Sequence, residues 1–80
     1  MLSKLDTNNK VVGTKQVKRA LASGKVETVY IAKDAEKKVV NEIVTICDSN
    51  DIDIIYVESM RKLGEACKID VSAASAALLK

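Results

Sequence analysis

Eighty residues with 48% apolar content suffice for one small folded domain and argue against disorder, and no apolar run approaches the roughly 20 residues that a membrane-spanning helix needs. The first ten residues are mostly polar and lack the apolar stretch of an export signal, so the cytoplasm is the expected location and no membrane partner is expected. The formal net charge is only +2, but residues 1–40 carry nine Lys/Arg against four Asp/Glu and residues 41–80 carry four against seven, which concentrates the positive field in the first half.

Taken in order, residues 2–8 suit one or two helical turns with Leu2 and Leu5 inward. Val11 and Val12 read as a short strand that stops at Gly13, and a helical rhythm runs from residue 14 to 23. At about 100° per residue, Val17, Ala20 and Leu21 gather on one side of this helix, and Lys15, Gln16, Lys18 and Arg19 on the other. The first backbone N–H groups of a helix are unpaired and carry partial positive charge, which attracts phosphate. Lys15 and Arg19 reinforce that attraction, while the Gln16 amide can donate to and accept from a base edge. The same pattern also fits an ordinary solvated face of an amphipathic helix.

Gly24 ends the helix, and Val26–Ala32 reads as a strand with apolar residues on both faces, as expected for a central position. Lys33–Glu36 turns the chain, with Asp34 placed to cap a helix from about Ala35 to Cys47 and Glu36 in its first turn. Val39, Val40, Ile43, Ile46 and Cys47 form its apolar face. After a turn at Asp48–Asp51, Ile52–Val57 is a second strand, and this βαβ unit predicts parallel pairing in an α/β fold. Ser59 can cap a short helix with Met60, Leu63, Ala66 and Cys67 inward and Arg61, Lys62 and Glu65 outward. A break at 68–72 follows. In the last segment, 73–79, alanine favours helix while the position suits a final strand.

Chemistry is sparse. The chain has no histidine, no Gly-rich phosphate loop and no serine elbow, so neither enzyme activity nor a cofactor is expected. Cys47 and Cys67 fall among apolar neighbours and read as buried reduced thiols, and without CxxC or histidine they form no zinc site. Asp48, Asp51 and Asp53 are explained by turn formation and solvation, so no metal is expected. Tyr30 and Tyr56 both lie in strands expected to be buried, which removes the stacking platforms of single-strand binders. Contact with a nucleic acid would rest on basic, amide and aliphatic groups against a structured target.

Three stretches, Gly13-Thr14-Lys15-Gln16, Ala32-Lys33-Asp34-Ala35 and Leu63-Gly64-Glu65-Ala66-Cys67-Lys68-Ile69, resemble in order and spacing the ribosomal L-seven-Ae family. The chain is most similar to its short bacterial members, which share the Gly-Thr-Lys-Gln stretch and a Glu-Ser-Met before Leu-Gly, here Glu58-Ser59-Met60. The resemblance implies a single-domain three-layer α/β/α sandwich around a four-stranded mixed sheet, with the last segment as a strand. It also implies non-catalytic binding to kink-turn RNA, a sharply bent duplex with tandem G·A pairs and a bulge, with the ribosome among the candidate partners and a monomer as the expected state. Carried over, Lys15 and Gln16 contact guanines, Arg19 contacts the RNA nearby, and Gly13 and Thr14 form the helix start. Ile69 and Val71 pack on bulge nucleotides, flanked by Glu65 and Lys68, and Lys18, Lys33 and Asp70 complete the candidate surface. Ile69 and Val71 also fit as core residues at a strand entrance. The competing function is a ribosome-associated protein-interaction module without kink-turn specificity.

Three departures bear on these expectations. Lys15-Gln16 replaces the Asn-Glu of many archaeal and eukaryotic relatives, giving more charge and less acceptor capacity. Lys68 stands where glycine is usual, so a positive φ there would be costly and a different loop conformation would avoid it. Lys37 stands where the family usually has proline.

Overall fold

A computed structural model describes residues 9–80; the turns expected at 2–8 lie outside the described residues. The chain runs β1 (Lys10–Val12), α1 (Thr14–Ala22), β2 (Val26–Ala32), α2 (Lys37–Ser49), β3 (Asp53–Val57), α3 (Met60–Ala66) and β4 (Ser75–Leu79). The strands form one mixed sheet in the order β1-β4-β2-β3, with β3 parallel to β2 and β4 antiparallel to both β1 and β2. The connections through α1 and α2 both advance across the sheet in the same direction, so right-handed crossovers place these helices side by side on one face. The chain returns through α3, which covers β2, β3 and β4 from the other face and completes the three-layer sandwich.

Central β2 buries Val29, Tyr30, Ile31 and Ala32, since helices cover both of its faces. Its neighbour β4 is a strand despite its alanines: Ala77 pairs with Val11 on one side and Val29 on the other, and Ala76 lies between Val12 and Tyr30. Position between two partners overrides helix propensity, and the small side chains let both helix layers approach the sheet.

Three expectations are corrected. The second helix begins at Lys37, and Asp34 does not cap it; the Asp34 carboxylate instead accepts a 2.7 Å hydrogen bond from the Met60 N–H, the first residue of α3. Lys37 thus takes the first helical position, where proline is accepted because its missing N–H has no intrahelical partner. The third is Tyr56, which is 53% exposed because β3 is an edge strand of the sheet and is covered less completely than β2.

Tyr30 is fully buried, and among the described residues its hydroxyl has no hydrogen-bond partner. An unsatisfied buried hydroxyl costs about 1–3 kcal/mol, so Tyr30→Phe is expected to raise stability by about 1 kcal/mol in denaturant titration. Burial also pushes the Tyr30 phenol above its ordinary value of 10.0, favouring its neutral form in the folded state. That contribution is complete below the unfolded value and disappears as pH rises through the raised folded one. The phenylalanine variant is therefore expected to lose less stability on alkaline titration.

All three helices close with the same hydrogen-bonded terminator, in which a residue at positive φ lets the next N–H reach back five residues. The bonds are Lys25 N–H to Ala20 O at 3.3 Å, Ile52 N–H to Cys47 O at 2.9 Å and Ile69 N–H to Gly64 O at 3.1 Å. The positive-φ residues are Gly24, Asp51 and Lys68. Lys68, at φ 60°, keeps the conformation that suits glycine, so its side chain strains the loop without redirecting it. Lys68→Gly is expected to gain about 1 kcal/mol in chemical denaturation.

Candidate nucleic-acid interface

The strand directions bring the ends of β1, β2 and β3 and the start of β4 to one edge of the sheet. The starts of all three helices and the loop after α3 therefore meet there. Gly13, at φ 99° and ψ 145°, turns the chain from β1 directly into α1. Its N–H donates to the Ser75 carbonyl at 2.9 Å, and the Thr14 and Ser75 hydroxyls lie 3.3 Å apart. Ser75, fully buried, thereby fastens the helix start to the end of the 67–74 loop.

No side chain caps α1, and among the described residues the backbone N–H groups of Lys15 and Gln16 are unpaired. They are available to an anion at the positive end of the helix dipole. Lys15, Gln16 and Arg19 are exposed around this opening. Lys18 points elsewhere: its ammonium is 2.6 Å from the Glu42 carboxylate on α2, so it joins two helices. Lys33, exposed at the end of β2, lends positive potential that, after the direct Lys62 hydrogen bond and charge, helps hold the Glu58 carboxyl below its usual value.

The loop is set by backbone contact. The Val71 carbonyl lies against Gly64 inside α3, and Ala73 N–H donates to Met60 O at 3.1 Å. Ala74 O then accepts from Ala32 N–H at 3.0 Å, leading the chain into β4. Along this path its two aliphatic residues differ in exposure: Val71 is 69% exposed, whereas Ile69 is half-buried against the core. Together with Arg61, Glu65, Asp70 and Ser72 they line a hollow of about 300 Å³ on the outer side of α3. Glu65 is partly committed there, 3.4 Å from the Arg61 guanidinium.

Cys47 and Cys67 are free and buried, and burial pushes both thiols up, away from reactive thiolate. Among the described residues, no group of three His, Cys, Asp or Glu side chains could hold a metal ion, and no helix is long and apolar enough to cross a membrane.

Three contributors were not legible as site residues: Ser75 as the fastener, Asp34 as the cap on α3, and Gly64 as the seat of the loop. Gly64 left a signal, since glycine inside a helical pattern costs stability unless another backbone approaches it; Asp34 read as a cap, but of α2 rather than α3, and Ser75 left none.

Fold and site together define a small α/β/α domain with an anion-attracting edge. The chain belongs to the ribosomal protein L7Ae/L30e/S12e/Gadd45 family, which its sequence matches over residues 2–80. An RNA-binding protein of Halalkalibacterium halodurans is 54% identical over 70 residues, covering 88% of this chain and 85% of the relative. The RNA-binding protein YbxF of Geobacillus stearothermophilus is 40% identical over 70 residues, covering 88% and 85%. Among solved structures, the 15.5 kD RNA-binding protein of Giardia lamblia superimposes with a TM-score of 0.88 at 26% identity, covering 99% of this chain and 68% of that one. A Bacillus halodurans protein of unknown function shares the fold, with a TM-score of 0.87 at 23% identity, covering 99% and 83%.

Proposed function

We propose that the protein is a non-catalytic RNA-binding protein that recognises kink-turns, using the open start of α1 and the loop after α3 as the two halves of one surface. The observation that carries this reading is the junction at Ser75, which joins the cationic helix start to the loop that exposes Val71. A sharply bent duplex concentrates phosphate near such a helix start and exposes base edges that a straight A-form helix hides. Lys15 and Gln16 read the G·A pairs, Arg19 takes a neighbouring phosphate, and Val71 packs on an unstacked bulge nucleotide. The relatives' designation as RNA-binding supports the same reading. In this role the protein acts as a cytoplasmic monomer, with ribosomal RNA among its targets.

The test is a gel-shift against a kink-turn and against the same RNA with its G·A pairs replaced. The intact kink-turn is expected to bind more tightly, and equal binding refutes the reading. Lys15→Ala and Gln16→Ala are each expected to cost about 1–3 kcal/mol of binding, the scale of a good base contact. Unchanged affinity in both variants removes these residues from the site.

A further inference from the structure

A second opening runs along α1 beside the β1 edge of the sheet. Val11, Ala20 and Leu79 form its floor, Gln16, Arg19 and Lys25 stand on its rim, and the space between them is about 340 Å³. We propose that this groove holds the ribose–phosphate backbone of one RNA stem as it leaves the kink, with Arg19 and Lys25 each taking a phosphate. The inference rests on the kink-turn reading and extends it from the bend to the adjoining duplex.

Charge complementarity is the first argument. Among the described residues no acidic side chain lines the groove and neither Arg19 nor Lys25 is ion-paired, whereas Lys18, Arg61 and Lys62 are each held by a glutamate. Unpaired cations lose little on meeting phosphate, because no existing ion pair must be broken. Shape is the second argument. A backbone ribbon presents sugar C–H surface between its phosphates, and an aliphatic floor with a cationic rim matches that alternation. Continuity is the third. Gln16 belongs both to the helix start and to the groove, and Arg19 follows one turn further along its rim, so RNA seated at the first is led into the second. Position along α1 sets the direction: Gln16 stands in its first turn, Arg19 in its last turn and Lys25 just beyond its end.

Lys25→Gln tests this without disturbing the turn, because Lys25 is exposed and its backbone bonds, from its N–H to Ala20 O and from Lys80 N–H to its carbonyl, do not involve the side chain. Affinity is measured over a range of salt concentrations for a kink-turn RNA with two long stems and for the same RNA with each stem cut back in turn. On the long-stemmed RNA the variant is expected to bind about fivefold more weakly and to lose about one unit from the slope of log affinity against log salt. With the stem that enters the groove removed, variant and unaltered protein are expected to bind alike. Unchanged affinity and slope on the long-stemmed RNA, or an equal loss on all three RNAs, overturns the groove while leaving kink-turn recognition standing. Failure of the parent reading looks different, since the unaltered protein then does not distinguish intact from replaced G·A pairs, and the groove falls with it.

Discussion

Gly64→Ala is expected to lower stability by about 1–3 kcal/mol and to weaken kink-turn binding by more than the stability loss explains. At an open helix position the same change would stabilise, because glycine costs about 0.5–1 kcal/mol relative to alanine. The sign reverses here because a Cβ at residue 64 would lie 2.2 Å from the Val71 carbonyl oxygen and 3.2 Å from the Ser72 Cα. Both obstacles are backbone, so no side-chain rotation relieves the clash. The loop is held on either side by Ile69 N–H to Gly64 O and Ala73 N–H to Met60 O, and moving it away from α3 strains or breaks these bonds. Val71 then leaves its presented position. Denaturant unfolding and gel-shift on one preparation check both parts, and a stabilised variant with normal binding would show that the loop does not sit against the helix.

The second large effect is expected at Gly13 for a different physical reason. A Cβ there meets nothing within 4 Å, so the penalty of Gly13→Ala is conformational rather than steric crowding by neighbours. At φ 99° and ψ 145° an L-residue is strained by about 1–3 kcal/mol, and the strain falls on the residue whose N–H is tied to Ser75. Relaxing φ swings the first turn of α1 and withdraws Lys15 and Gln16 from the edge. Loss of thermal stability and of RNA affinity are expected together. A synthetic chain with D-alanine at position 13, which accepts positive φ, is expected to recover most of both, and no difference between the two enantiomers would remove strain as the cause.

Much of this architecture was legible before any coordinates. The spacing of Val17, Ala20 and Leu21, and of Val40, Ile43 and Cys47, gave α1 and α2 their buried faces, and the β-branched run at Val26–Ala32 gave the central strand. Asp34 illustrates the limit of local rules. A carboxylate shortly before a helix is a good cap by sequence, yet this one serves α3, 26 positions further on, because β2 and β3 end side by side. Lys68 shows a rule that correctly named a cost without deciding whether it was borne. The terminator at the end of α3 and the contact of the loop with Gly64 hold φ positive despite the side chain.

The amino-acid order alone determined which residues share a face, where the helices, β2 and β3 fall to within a few residues, and that the opening turn of α1 is cationic, since these follow from spacing and local chemistry over a few residues. Only the tertiary structure decided that Tyr56 faces solvent, that Lys18 turns to Glu42, that Val71 rather than Ile69 is presented, and that Ser75 joins the loop to the helix. Each of these depends on which distant elements become neighbours, and that is settled by sheet order and backbone contact between segments far apart in the chain.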